Sequence, residues 1–258
     1  MLNFLKNWTL PVAMLAGALG YFIFANFAFL EPTKPFMSSF VAYLTPALIF
    51  AQLLLTFCKV QPHELMPSLW HGWLLLFQLV SASLVAALLI FVHMDGAYKE
   101  VFEGAMVCLI CPTATAAAVI TGKLGGSASS LTTYTLLPNV LAGFRDLAFY
   151  LWGVALAIVT AQTVKSLVES NAPVGVEVLI ALAGLVTCAV QFYLGKRIGT
   201  RYSDRISAGQ ALGQKNTVLA IWMAYTYLDP LSSVGPGSYV LWQNLFNSYQ
   251  LWKKRKND

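Results

Sequence analysis

The sequence predicts an all-α polytopic membrane protein forming a single transmembrane domain over residues 1–258, and three observations carry that expectation. Hydrophobic residues make up 58% of the chain and charged residues only 10%, against about 25% charged in an ordinary soluble domain. Apolar runs long enough to cross a bilayer recur along the whole length. The loops between them are short and punctuated by Pro, Gly or charge, as in Glu31-Pro32-Thr33-Lys34-Pro35, Gln61-Pro62-His63-Glu64 and Asp229-Pro230. No stretch is left over for a soluble domain. The net charge of +5 does not indicate nucleic acid, because the basic residues sit in loops at the membrane edges; the expected surroundings are the lipid bilayer.

In order, the spans read Leu10–Leu30, Phe36–Cys58, Leu69–His93, Val101–Gly122, an irregular stretch Ser127–Lys165, Val174–Gly195, Arg205–Leu228 and Ser232–Trp252. The first run is too long for a signal-peptide core and ends in no small-x-small site, so it is expected to be a retained helix. In the fourth, Pro112 removes a backbone donor at membrane depth, and the small residues after it let another backbone approach. A Gly-rich link, Gly122-Lys123-Leu124-Gly125-Gly126, leads to the hydroxyl-rich Ser127-Ala128-Ser129-Ser130-Leu131-Thr132-Thr133-Tyr134-Thr135. Those hydroxyls suit either a protein-lined cavity or ordinary back-bonding within a helix.

Continued as one helix, Ser127–Lys165 would run roughly 58 Å at 1.5 Å per residue, against a hydrocarbon core of about 30 Å. Pro138, Gly143 and the Arg145-Asp146 pair interrupt it. It therefore reads as a broken or re-entrant half, Ser127–Ala142, followed by a full span, Leu147–Val164, with Arg145 and Asp146 forming a local ion pair or, alternatively, contacting substrate.

Charge asymmetry orients these spans. With a cytoplasmic N-terminus, Lys6, Lys59, Lys123, Lys196, Arg197, Arg201, Arg205, Lys253, Lys254, Arg255 and Lys256 fall inside, and only Lys34, Lys99 and Lys165 fall outside. The expected location is the cell (inner) membrane, multi-pass, with about eight crossings and both termini cytoplasmic.

The chemistry concentrates in Gly209-Gln210-Ala211-Leu212-Gly213-Gln214-Lys215-Asn216-Thr217, which opens the apolar run Val218–Tyr227. Gln210, Gln214 and Thr217 share a face at i, i+4, i+7 spacing, with Lys215 on its shoulder. Lys215 lies about ten residues past the expected helix start near Asp204–Arg205. A lysine at bilayer depth costs roughly 2.5–3.5 kcal/mol on insertion scales, so it marks a functional site; the alternative is a lysine that snorkels to the interface.

Two interrupted helices, one per half of the chain and broken at Pro112 and Gly213, point to an inverted-repeat transporter with its site near the midplane. Repeat 1 covers about 1–142 and a shortened repeat 2 about 143–258. The candidate substrate and coupling residues are Thr113, Thr115, Ser130, Thr133, Gln214, Lys215 and Asn216.

An enzyme is not expected. His63 and His71 fall in a loop, His93 at a span end, and no nucleophile–base pair stands out. Cys108-x-x-Cys111 is the only close cysteine pair, with Cys58 and Cys188 apart from it. Without a second pair the cysteines read as small core hydrophobes, so no metal and no cofactor are expected.

The order of these motifs carries a resemblance. A proline followed by small residues, a Gly-rich link and a Ser/Thr-rich helix come first. A basic loop Lys196–Arg205 then precedes Leu212-Gly213-x-x-Asn216, and Gly235-Pro236-Gly237 and Trp242-Gln243-Asn244 lie in the last helix. Over most of its length the chain resembles the bile acid:sodium symporter family. The resemblance implies two inverted five-helix repeats, a core domain with two crossing broken helices, Val101–Gly122 and Arg205–Leu228, that moves against a panel domain, and a small organic anion as substrate. Two departures stand out. The family has ten helices, and the shortfall here falls near Asn139–Phe144. The family's Pro-Gly-Gly-x-x-Ser-Asn pattern places Ala117 and Ala118 at its Ser-Asn pair, and its Glu-x-Gly-x-Gln-Asn pattern places Ala211 and Lys215 at its sodium-binding Glu and its Gln. Hard cations need oxygen ligands, so sodium-independent transport is expected, with Lys215 replacing the cation and protons as the candidate coupling ion. A non-transporting relative or membrane scaffold is the alternative.

Overall fold

The computed structural model describes residues 2–57, 67–92, 94, 96–114, 117–127, 130–131 and 145–257. Long helices account for most of them, and four helical stretches among the described residues are long and apolar enough to cross a membrane: Ala28–Leu54, Leu69–Phe91, Leu151–Glu169 and Val174–Thr200. Large apolar side chains such as Leu75, Leu79, Leu84 and Ile90 stand exposed along Leu69–Phe91, which is the surface lipid would cover.

Helix α1 covers Leu2–Asn26. After a 3₁₀ turn, Ala28–Thr33, α2 covers Lys34–Phe57 and carries Pro46 in its interior. Helix α3 is Leu69–Phe91. The expected single span Val101–Gly122 is divided into α4, Ala97–Ile110, and α5, Ala117–Leu124. Helix α6 covers Arg145–Glu169 and α7 Val174–Thr200. The second interrupted span is divided into α8, Arg205–Gly213, and α9, Thr217–Tyr227. Asp229 caps the short 3₁₀ turn Pro230–Ser233 through Leu231 N at 2.9 Å, and α10 runs from Val234 to Asn257. The expectation of eight crossings meets four helices of spanning length among the described residues: α4/α5 and α8/α9 are each split, α10 is interrupted by Gln243, Asn244, Asn247 and Gln250, and α1 offers only the shorter apolar stretch Pro11–Asn26. The Arg145 and Asp146 side chains, Cys58, His63, His93 and residues 132–144, which include Pro138 and most of the expected re-entrant half, lie outside what the structure describes.

Helices α1 and α2 each pack mainly on α6. Gly17 of α1 lies so near the Ala157 carbonyl of α6 that a Cβ there would overlap it, the small-residue contact that lets membrane helices approach closely. The other helices form a second group in which α7 carries α8, α4 and α10. Gly104 of α4 and Gly235 of α10 meet backbone to backbone, with a Cβ on Gly235 3.0 Å from Gly104 Cα. The two groups join through one apolar core: Ala13, Ile49, Ala155, Leu156 and Val159 from the first, and Val218, Ile221 and Val240 from α9 and α10.

A polar clasp fastens the turn between α9 and α10 to α4. The buried Glu103 carboxylate accepts from Ser232 Oγ at 2.6 Å and from Asp229 N at 3.1 Å, and lies 3.7 Å from Lys99 Nζ. A carboxylate removed from water requires such partners, which explains why Ser232 is fully buried beside it.

Candidate functional site

Interrupting a helix inside a bilayer leaves carbonyls and amides without helical partners, and lipid supplies none. The two interruptions solve this by lying across each other. Thr113 and Lys215 form an isolated antiparallel bridge. Ala114 N donates to Gln214 O at 2.8 Å, and Asn216 N donates to Pro112 O at 2.8 Å. The ends of α4 and α8 and the starts of α5 and α9 thus converge on one point.

The remaining backbone groups are met by side chains. The Thr113 hydroxyl donates to Ala211 O, and Tyr239 Oη donates to Gly213 O at 2.8 Å. Gln243 Oε1 accepts from Lys215 N at 2.9 Å. Asn216 caps α9, its Oδ1 accepting from Leu219 N, while its carbonyl accepts from Cys111 Sγ at 3.0 Å. At the end of α4, Gln78 Nε2 donates to Leu109 O at 3.2 Å and to Cys111 O at 3.3 Å, and Gln191 Nε2 donates to Cys108 O at 3.1 Å.

Lys215 is the charged member of this arrangement. Only 1% of it is exposed, so it does not snorkel to the surface. Its Nζ donates to Leu109 O at 3.3 Å. Leu109 is in the last turn of α4, where the helix dipole places partial negative charge. No carboxylate among the described residues forms an ion pair with it. The ammonium therefore rests on a carbonyl oxygen at a helix C-terminus, the kind of oxygen donor that a bound cation would also use.

Thr113, Gln214, Lys215 and Asn216 are thus brought together and are each at least 95% buried. Ser130 is not with them. His71 Nδ1 accepts from Ser68 N, so its Nε2 carries the proton and donates to Ser130 O at 3.1 Å, tying Ser130 to the start of α3. His71 is accordingly a buried residue of α3, not the loop residue expected. Thr115 and Thr133 lie outside the described residues. The shared face expected for Gln210, Gln214 and Thr217 does not form, because the helix stops at Gly213 and restarts at Thr217. Gly213 does not break the chain through a left-handed backbone; it provides space, since a Cβ there would strike the Phe192 ring.

The hydroxyl-rich segment is described only at its start. Ser127 Oγ accepts from Ser130 N, and Ser207 Oγ donates to Ser127 O at 3.1 Å. Ala117 and Ala211 fall in one apolar cluster with Trp70, Leu131, Ala208 and Leu212.

Sequence reading missed the side chains that hold the crossing. Tyr239, Gln243 and Asn247 line one face of α10 at i, i+4, i+8 spacing, and Gln210 Nε2 donates to Asn247 Oδ1 at 2.9 Å. Gln78 and Gln191 are single amides inside long apolar runs, and that isolation was the available signal. Among the described residues, Gln210 Oε1, Gln214 Oε1 and Gln191 Oε1 are buried without a hydrogen-bond partner, so the crossing keeps unused acceptors.

No protein-family model matches the chain, and no curated protein matches it.

Proposed function

We infer that the protein is a secondary transporter of a small organic anion that operates without sodium, with Lys215 as the fixed cation of the crossing. The observation that supports this most directly is Lys215 Nζ on the Leu109 carbonyl, a positive charge held at bilayer depth by a helix end. In this reading the chain is a shortened inverted-repeat transporter related to the bile acid:sodium symporters. Helices α4, α5, α8 and α9 form the moving centre, and α1, α2 and α6 form the panel. The positions that the resemblance aligns with sodium ligands support it: Ala117 and Ala211 lie in an apolar cluster and offer no side-chain oxygen.

Thermal unfolding of the purified protein against a panel of carboxylates and sulfonates, with sodium or choline as the cation, tests the reading. A ligand of the folded state raises the melting temperature by mass action. The expected result is stabilisation by at least one anion, equal in both cations and lost in Lys215→Gln. Stabilisation that requires sodium sinks it. A membrane scaffold is the second reading, favoured by the closed packing of Thr113, Gln214, Lys215 and Asn216; the absence of any response across the panel supports it instead.

A further inference from the structure

Away from the crossing, the turn between α7 and α8 borders an open, solvent-facing cavity of about 500 Å³ lined by Tyr193, Lys196, Arg197, Thr200, Arg201 and Arg205. Local structure brings these residues together. Arg197 and Arg201 are one turn apart at the end of α7, and Tyr202 N and Asp204 N both donate to Gly199 O, at 3.0 and 2.9 Å. That tight return holds Ser203 at φ 55°, a left-handed conformation that side chains other than glycine rarely adopt. It places Arg205 of α8 back beside the α7 tail. Gly195 and Gly199 let α8 lie directly on α7, because a Cβ on Gly199 would come within 2.6 Å of the Asp204 carbonyl. Gly209 leaves room for the Lys196 stem, whose Cγ would lie 2.7 Å from a Cβ added there.

Four cations therefore face one cavity, and none of them forms an ion pair among the described residues. Asp204, the acid nearest in sequence, sits at the start of α8 and makes no side-chain cap. The dipole at the end of α7 relieves their mutual repulsion only in part. The cavity also lies where α7 leaves its apolar stretch. On the same end of the bundle, Trp73 Nε1 donates to Tyr202 Oη at 3.0 Å and Lys254 Nζ reaches Lys123 O at 3.1 Å. Interfacial aromatics and clustered Lys/Arg mark the headgroup level.

We propose that this cavity binds a phosphate group of net negative charge, either the headgroup of an anionic phospholipid or a free phosphate. Guanidinium forks match phosphate oxygens two at a time, and the volume lies in the range of small-ligand sites, about 300–1,000 Å³. Occupancy neutralises the cation cluster and clamps α8, which ends in the crossing at Gly213, so the site stiffens the helix that leads into Lys215.

The test compares the melting temperature of the full chain in nanodiscs of phosphatidylglycerol with that in nanodiscs of phosphatidylcholine. A parallel titration adds inorganic phosphate to the protein in a neutral detergent. The expected result is a higher melting temperature with one of the anions, lost in Arg201→Gln/Arg205→Gln and kept in Arg255→Gln/Lys256→Gln, which removes equal charge from the α10 tail. Phosphatidylglycerol alone as the active probe assigns the site to lipid, and inorganic phosphate as an active probe assigns it to a free anion. Arg201 and Arg205 are both exposed at helix ends, so their double variant is expected to fold; Arg201→Lys/Arg205→Lys keeps the charge without the fork and weakens binding about ten-fold, equivalent to 1.4 kcal/mol. No stabilisation by either anion, or equal loss in the tail variant, overturns the proposal.

Discussion

Replacing Lys215 with methionine separates a functional lysine from a structural one, because the two predict opposite signs of stability change. The ammonium has three donors to satisfy, and its described partner is the Leu109 carbonyl at 3.3 Å. Burying such a charge costs several kcal/mol. Against that, a hydrogen bond to a charged group contributes about 1.5–3 kcal/mol, and the α4 dipole about 0.3–1 kcal/mol. Methionine has a similar length and volume and needs no solvation. Leu109 O does not lose its last partner, since Gln78 Nε2 remains at 3.2 Å. The balance favours Lys215→Met by about 1–4 kcal/mol, the range found when buried charges give way to well-packed apolar residues. At about 2–4 °C per kcal/mol, the variant melts several degrees above the parent protein in detergent, followed by tryptophan fluorescence. The same variant is expected to lose anion-dependent stabilisation and uptake. A fall in melting temperature refutes the reasoning, since it would make the ammonium a net stabiliser that the crossing cannot do without.

Three further substitutions test the packing around the crossing. Tyr239→Phe removes the hydroxyl that donates to Gly213 O and leaves that carbonyl without its side-chain donor, so stability falls by about 1–3 kcal/mol in a denaturation series. Asn216→Ala removes the α9 cap and costs about 1 kcal/mol; under the transporter reading it also weakens anion binding, measured by thermal shift. Gly195→Leu drives a side chain into the Ala208 carbonyl and separates α8 from α7, lowering the melting temperature, whereas Gly175→Leu, which meets open space, leaves it within a degree or two, as expected of changes of about 0.5 kcal/mol or less.

Some features were legible in the sequence because one physical constraint dictates them. Bilayer thickness sets how long an apolar run must be, so Leu69–Phe91 and Val174–Thr200 were visible from hydropathy alone. Pro112 and Lys215 advertised irregular backbone at membrane depth, since neither sits at ease in a lipid-facing helix. The pairing of Thr113 with Lys215 was not legible. Its register depends on how far α4 and α8 each run before stopping, and local sequence sets helix ends loosely. Reading Gln210, Gln214 and Thr217 as one face assumed a continuous helix through 214–216, and the bridge to Thr113 overrides that periodicity. The side chains that complete the site, Gln78, Gln191 and Gln243, lie on helices otherwise apolar or packed elsewhere. A lone amide shows that something polar faces it but not which carbonyl.

How polar and apolar contacts are distributed decides which parts can move against each other. The crossing is tied by hydrogen bonds to three neighbours: α3 through Gln78, α7 through Gln191, and α10 through Tyr239 and Gln243. Each such bond is short-ranged and directional, so sliding one partner by a single turn, about 5.4 Å, would strand a buried carbonyl at a cost of about 1–3 kcal/mol. Against α1, α2 and α6, the same crossing presents Val218, Ile221 and Val240 to Ala13, Ile49, Leu156 and Val159. Apolar contacts are non-directional, and one set of methyl contacts exchanges for another at little net cost. In a transporter, α3, α7 and α10 would therefore be carried along with the moving centre α4, α5, α8 and α9, and the shear plane would be the apolar core beside α6. Under the transporter reading, the anion enters between that plane and the crossing. A cysteine pair across the plane, Thr163→Cys on α6 with Gly237→Cys on α10, places its two Cβ atoms about 3.8 Å apart, within disulfide reach; it is expected to abolish uptake when oxidised and to restore it on reduction, whereas either single cysteine leaves uptake unaffected by oxidation. If oxidising the Thr163–Gly237 pair leaves uptake intact, the shear plane lies elsewhere.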